Sequence, residues 1–301
     1  MKRLITIPLI CLIHAIFAGA DQTPTPIVLW HGMGDTCCLP ISLGLFKTFL
    51  QKNIPNVYVT SLRIGNSTID DLESGYFMNP NEQVDYACRV LAADTNLKNG
   101  FNVIGFSQGC QFLRGVIQRC GHKLPPIKKF ISLGGQHQGV YGLPHCMAVS
   151  HKTCDYMREL LNYAAYQHWV QSSLVQASYW HDPLNEDEYK KNSIFLADIN
   201  NELAVNETYK ANLGRLEHFV LVKFESDSMV QPRESEWFGF YAPGQGRELL
   251  TLQQSALYKE DRLGLRKMDK AGKLVFLSQP GDHLQFDETW FIDTIINKYL
   301  I

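Results

Sequence analysis

Gly105-Phe106-Ser107-Gln108-Gly109 is the stretch on which the reading of this chain turns. It lies between an apolar run, Asn102 to Phe106, that reads as a strand, and Gln108 to Arg119, where Phe112, Leu113 and Val116 form a helical face. A serine on so tight a strand-to-helix turn is forced into a strained backbone, and the flanking glycines relieve crowding against neighbouring elements. The turn also sets the hydroxyl near the positive end of the following helix, which favours an anionic intermediate. Five residues of this kind arise by chance as an ordinary Gly-rich turn. It is the strand-to-helix context that marks Ser107 as a nucleophile.

Further strands read at Ile27 to Trp30, Val57 to Ile64, Ile127 to Leu133, His218 to Phe224 and Lys273 to Ser278, with helices at Pro80 to Leu97 and Thr289 to Leu300. Strands alternating with helices predict a mostly parallel central sheet covered on both faces. One interval breaks the rhythm. Residues 136–217 exceed the thirty-odd of an ordinary βαβ unit, carry many Tyr and Trp, and read as helical from Tyr156 to Val175. They are expected to form a cap-like insertion before the strand that carries the acid. No repeat or flexible linker divides the chain, so residues 21–301 read as one domain of α/β class, with the α/β-hydrolase architecture.

A serine hydroxyl needs a base, and the base an orienting acid. In this architecture they follow in the order Ser, acid, His, on loops after late strands. His283 is the one histidine beyond the last strand, in the turn Pro280-Gly281-Asp282-His283. Asp227 directly follows the strand ending at Phe224 and is the preferred acid. Glu225 is its nearest rival. Asp282 is disfavoured, because neighbouring side chains on a turn rarely face each other. His31, His137 and His218 read as hydrogen-bonded core or loop residues. The developing oxyanion needs fixed N–H donors. One is expected from Gln108, the other from Met33 in His31-Gly32-Met33-Gly34, a loop of the His-Gly type.

The bulk features bound the setting. Met1-Lys2-Arg3, an apolar run to Phe17 and Ala18-Gly19-Ala20 describe a cleavable signal peptide over residues 1–20. Of 28 Lys and Arg side chains, Lys2 and Arg3 leave with it, so the remainder carries a net charge of −4 against 30 Asp and Glu. That balance gives no footprint for nucleic acid, and no later apolar stretch is long enough to span a membrane. Seven cysteines remain in a compartment that favours disulfides, so the odd count leaves one free or unusually paired. His145, Cys146, His151 and Cys154 superficially offer four zinc ligands, but a local Cys146–Cys154 disulfide is the preferred reading. No metal or other cofactor is expected. Cys110, beside the elbow, reads as a small buried apolar residue rather than a second nucleophile. The sequons Asn66-Ser67-Thr68 and Asn206-Glu207-Thr208 fit a secretory route.

The segments Trp30 to Cys38, Gly105 to Gly109, Gly134 to Val140, Tyr179 to Pro183 and Ser235 to Tyr241 together closely resemble the palmitoyl-protein thioesterases. The likeness runs from about Pro26 to the C-terminus at matching spacing. It implies hydrolysis of long-chain acyl thioesters on cysteines of S-acylated proteins or peptides, in the lysosome or after secretion. It places nucleophile, acid and base on Ser107, Asp227 and His283, and the oxyanion donors on Met33 and Gln108. It also implies disulfides Cys37–Cys38, Cys88–Cys120 and Cys146–Cys154, an unpaired Cys110, and delivery by a sorting receptor that reads N-glycans. The chain departs from the family pattern at Cys110, where glycine is expected, and at Ser226-Asp227-Ser228, where a sequon is expected. An oxygen-ester lipase or esterase would use the same triad, and only substrates separate the two. A non-catalytic lipid-binding descendant would need a disabled triad, and none of its three positions is lost.

Overall fold

The computed structural model describes residues 23–142, 156, 160, 161 and 163–301. The expected leader, the Cys146–Cys154 pair and the His145 and His151 positions lie outside those residues. Six parallel strands form the central sheet: β1 Ile27–Trp30, β2 Val59–Ser61, β3 Phe101–Phe106, β4 Ile127–Leu133, β5 His218–Phe224 and, last in the chain, β8 Leu274–Gln279. Between β5 and β8 a two-residue ribbon pairs β6 Phe240–Tyr241 with β7 Leu249–Leu250, antiparallel. The sheet order is β2-β1-β3-β4-β5-β8. The chain leaves β1 towards one edge to form β2 and returns on the other side as β3. The order therefore reverses between β1 and β3, where Trp30 pairs with Gly105. Open parallel sheets bind ligands outside the carboxyl ends of their strands at such a point.

Strand alternation sorts the side chains between two layers. Val28, Trp30, Val103, Phe130, Phe219 and Leu221 face one core, shared with helices α3 Pro80–Ala93 and α4 Gln108–Cys120 and with the segment between β4 and β5. Ile27, Leu29, Ile104, Phe106, Ile131, Leu133, Val220 and Val222 face the other, closed by α1 Leu43–Asn53 and the C-terminal helix. With both faces covered, every residue of β1 and β3 is buried.

The structure differs from the sequence reading in several places. The second strand is only three residues long. The helix from Pro80 stops at Ala93, because Asp94 turns extended and caps a separate 3-10 turn, Thr95–Leu97. The last helix begins as Glu288–Phe291 and continues as a wider π-type turn over Ile292–Leu300. The helix read from Tyr156 to Val175 is broken among its described residues: Gln167 is extended before His168–Ser173, and Leu174 is extended before Val175–Ser178. The buried amide of Gln171 bridges both breaks. Its Nε2 donates to the carbonyls of Ala165, before the first, and Ala177, after the second, at 2.6 Å each. Several helices were not read at all, among them α1, α2 Thr68–Phe77, Glu186–Asn192, Glu207–Gly214 and Leu265–Lys270. Helix α2 opens with a reciprocal cap between Ser67 and Asp70.

Two buried polar groups fix the layers around the carboxyl edge. Arg114 of α4, fully buried, donates to the carbonyls of Ile199 and His137 and to Asn200 Oδ1, and lies over the Phe238 ring. Burial pulls its guanidinium down to about 9, still cationic at neutral pH. His31, after β1, faces two acceptors: Nδ1 meets the Gly32 carbonyl at 2.8 Å and Nε2 meets Asp71 Oδ1 at 3.2 Å. Only the imidazolium donates from both nitrogens. Asp71, on α2, also accepts the N–H groups of Cys37 and Ile64, so one carboxylate joins the loop after β1 to the segment after β2.

Burial opposes the charge on His31, but the bond and charge of Asp71 and the Gly32 carbonyl outweigh it, and its pKa sits above 6.5. A pKa raised by folding stabilises fully below the unfolded value and loses that effect as pH rises through the folded one. Thermal melting from pH 5 to 8 is the measurement. His31→Asn is expected to melt below wild type at acidic pH, with the gap narrowing above about pH 6.5. A gap that stays constant or widens contradicts a charged His31.

Candidate active site

Ser107 sits between β3 and α4 at φ 51° and ψ −121°, left-handed backbone that non-glycine residues avoid. Two glycines make this possible. A Cβ on Gly105 would lie 2.6 Å from the Cα of Cys110, and one on Gly109 would collide with the carbonyls of Trp30 and His31. The Ser107 N–H donates to the Leu133 carbonyl at 2.8 Å, which ties the turn to β4. Gln108 opens α4. Its side chain donates to the Gly75 carbonyl and accepts from the Tyr179 hydroxyl, at 3.0 and 3.1 Å. Met33 lies on the loop after β1; its sulfur accepts from Gln176 Nε2 at 2.5 Å and lies 3.9 Å from Tyr179 Oη. Tyr179 therefore spans both expected oxyanion residues. Tyr179 is buried, and it borders the cavity described below.

Asp227 and His283 meet at 2.5 Å, Oδ2 to Nδ1. The other oxygen of Asp227 accepts the N–H groups of Met229 and Val230 at 2.7 Å each. Burial alone would push its carboxyl up, but the His283 bond and charge, with further hydrogen bonds, hold it below the usual range. The rivals sit elsewhere. Glu225 points to Lys223 at 3.2 Å. Asp282 accepts from the N–H and Oγ of Ser228 and from the His283 N–H, so it joins the acid loop to the base loop without facing the imidazole. Close approach also decides where His283 lies. A Cβ on Gly134, itself at φ 63°, would come 2.9 Å from its Cε1. Among the described residues no hydrogen bond joins Ser107 to His283, and Nε2 has no protein partner. Resting active sites often hold such pairs loosely, and they tighten with substrate.

Ser107 and His283 border one cavity of about 370 Å³. Its walls are mainly apolar, with Leu43, Phe46, Phe106, Val140, Met229, Val230, Leu284 and Phe286, and Met33, Gln176 and Tyr179 also border it. The size falls in the range of small-molecule sites, roughly 300–1,000 Å³.

Sequence reasoning passed over one residue here. Glu236, in the 3-10 turn Arg233–Trp237, is fully buried, and an oxygen of it lies within 4.8 Å of Asp227 and His283. A carboxylate embedded in Glu236-Trp237-Phe238-Gly239-Phe240-Tyr241 is a signal that a search confined to the strand end does not reach. Among the described residues, Asp227, Glu236 and His283 form the one group of donors close enough to hold a cation. Their lone pairs are largely spent on Met229, Val230, Phe224 and each other.

Away from the cavity, the other expectations are placed as follows. Cys88 bonds Cys120, joining α3 to α4, and Cys37 bonds Cys38. Cys110 is a free, buried thiol that donates to the Leu133 carbonyl, and burial pushes it up to about 12. That is a thiol, not a nucleophile. His137 is buried and bonded to Ser132, while His218 lies edge-on to Tyr299. Asn66 and Asn206 are both exposed, and Asn206 Oδ1 also caps the helix Glu207–Gly214.

Comparison with known proteins gives a consistent picture. Residues 26–283 match the family model described as palmitoyl protein thioesterase. Palmitoyl-protein thioesterase 1 of Caenorhabditis elegans is 48% identical over 297 residues, covering 98% of this chain and 99% of that one. Palmitoyl-protein thioesterase 3 of Dictyostelium discoideum is 38% identical over 278 residues, covering 91% and 90%. Among solved structures, the monoacylglycerol lipase of Paleococcus ferrophilus aligns over 91% of this chain and 95% of that one, at 11% identity and a TM-score of 0.45. With near-complete coverage at 48% identity and a family match over the sheet and its loops, the chain belongs to the palmitoyl protein thioesterase family.

Proposed function

We propose that this chain is a serine thioesterase that removes long-chain fatty acyl groups from cysteines of S-acylated proteins or peptides, with Ser107 as nucleophile, His283 as base and Asp227 as the acid that orients it. The observation that carries the proposal is the 2.5 Å Asp227–His283 bond at the edge of an apolar cavity that also exposes Ser107. With Nδ1 given to Asp227, the imidazole offers Nε2 to the Ser107 hydroxyl. Nε2 takes the proton as Oγ attacks the thioester carbonyl. The N–H groups of Met33 and Gln108 receive the oxyanion, Gln108 at the positive end of α4. The C–S bond then breaks, and the thiol leaves with the proton held by His283. Water, deprotonated by Nε2, attacks the acyl-serine and releases the fatty acid. A thiol leaving group, with pKa near 8.5, needs little help from a general acid.

The acyl chain lies along the Phe46, Phe106 and Phe286 wall, and the insertion over residues 136–217 caps the cavity through Gln176 and Tyr179. We place the enzyme in the lysosome, reached through the secretory route with glycans on Asn66 and Asn206 that a sorting receptor reads. A relative, PPT2 of Homo sapiens, is named as a lysosomal thioesterase. No helix among the described residues is long and apolar enough to cross a membrane. The His31–Asp71 pair, fully formed at acidic pH, suits that compartment.

Fluorophosphonate labelling tests the nucleophile: wild type takes the probe and Ser107→Ala does not, while labelling that survives the substitution refutes the assignment. On palmitoyl-CoA, Ser107→Ala is expected to lose at least about a thousandfold in kcat, and Asp227→Asn about a thousand- to ten-thousandfold, with KM changing far less. Triglyceride turnover above palmitoyl-CoA turnover would make the enzyme an oxygen-ester lipase instead.

A further inference from the structure

Glu236 is buried with no salt-bridge partner among the described residues. It accepts the Phe224 N–H at Oε2, 2.9 Å away, and Oε1 is fully buried with no partner among the described residues if it is read as a carboxylate oxygen. The groups facing it are few. Asp227 and His283 lie within 4.8 Å, on the loops after β5 and β8. Lys223, on β5, is turned to Glu225 and the Trp237 ring. Cys110, on α4, is a neutral thiol. Arg233, on the same turn as Glu236, pairs with Glu234, and Asp282 is bound to Ser228. Two carboxylates this close, out of water, cannot both be ionised, because each charge raises the cost of the other. Asp227 has the stronger claim to the charge: it accepts two N–H groups and an imidazole, where Glu236 accepts one N–H.

We propose that Glu236 is a positioning residue of this site, a neutral carboxylic acid whose Oε1–H is donated to Asp227 and so fixes the group that fixes His283. The inference rests on the roles given to Asp227 and His283 above. It gives Oε1 the partner it otherwise lacks. Burial, and then the bond and charge of Asp227, push the Glu236 carboxyl up to about 11, which keeps the proton in place throughout the working range. Two effects follow. The carboxylate of Asp227 is held by donors on three sides, so the plane it presents to Nδ1 is set before substrate arrives. The shared proton also withdraws charge from Asp227, so losing it puts more negative charge against the imidazole.

Two readouts test this. In protein labelled with ¹³C at glutamate carboxyls, the resonance lost in Glu236→Gln is expected to stay at the neutral-acid position from pH 5 to 8. An ionised position overturns the proposal, whatever becomes of the triad. In the pH profile of kcat/KM on an acyl thioester, Glu236→Leu removes the donor and is expected to lose roughly tenfold and to move the acid limb up by about half a unit. Glu236→Gln, which can donate to Asp227 and accept from Phe224, is expected to restore most of the rate and the original limb. A limb that moves to lower pH means that Glu236 carried charge, and a rate loss with no movement means packing alone. Either overturns the proposal. So does a Gln variant that fails to fold, because it exchanges one neutral group for another. Labelling of Ser107 reports separately on the triad.

Discussion

The carboxyl edge of this sheet depends on a contact between two backbones. Gly109, in the first turn of α4, lies against the carbonyls of Trp30 and His31 with no room for a side chain. The contact brings the start of α4 to the end of β1, so the turn holding Ser107 and the loop holding Gly32 and Met33 are fixed by one approach. Its counterpart is the left-handed backbone at Ser107, which costs on the order of 1–3 kcal/mol. Such strain persists only where the surroundings over-determine it. Here they do: β3 is fully buried, the Ser107 N–H is bonded to β4, and α4 is held by the buried Arg114 and the Cys88 disulfide.

The buried polar groups share a logic. His31 with Asp71, Arg114 with its carbonyls, and Asp227 with His283 and Glu236 are each costly to bury alone. Each joins elements that the apolar core leaves independent. Asp71 ties α2 to the loop after β1, and Arg114 ties α4 to the segment between β4 and β5. Asp227 and Asp282 tie the loop after β5 to that after β8. The hydrophobic layers hold the sheet together, but it is these pairs that set where the loops above it stand.

How much of this could be read in the sequence follows from how local each cause is. β1, β4 and β5 were legible to the residue, because apolar runs between turn formers have no rival reading. The elbow was legible because its glycines and strand-to-helix context lie within twenty residues. The α2 helix was missed although its cap, Ser67 to Asp70, is written in the sequence; the same Asn66-Ser67-Thr68 triplet reads first as a sequon. The breaks around His168–Ser173 are bridged by the Gln171 side chain, which reaches carbonyls six residues away on either side, a contact no helical period reveals. Glu236 was missed for a similar reason. Nine residues past Asp227, its role depends on a turn that folds it back beneath the acid.

Tyr179 shows how the segment between β4 and β5 can matter to chemistry as well as to binding. Its hydroxyl donates to Gln108, whose N–H is an oxyanion donor in the proposed mechanism, and it reaches the sulfur of Met33, whose N–H is the other. Gln176, just before it, grips Met33 as well. Met33, Gln176 and Tyr179 all line the cavity that the proposed mechanism gives to the acyl chain. In that mechanism chain binding and oxyanion geometry are not independent variables: a chain that fills the cavity would press on Met33 and Tyr179, and a short one would leave them looser. Remote binding energy spent on orientation in this way appears in kcat as well as KM. The selectivity of such a site for long acyl chains would then lie in the rate of acyl transfer, set by the insertion, rather than in the triad it shares with other serine hydrolases.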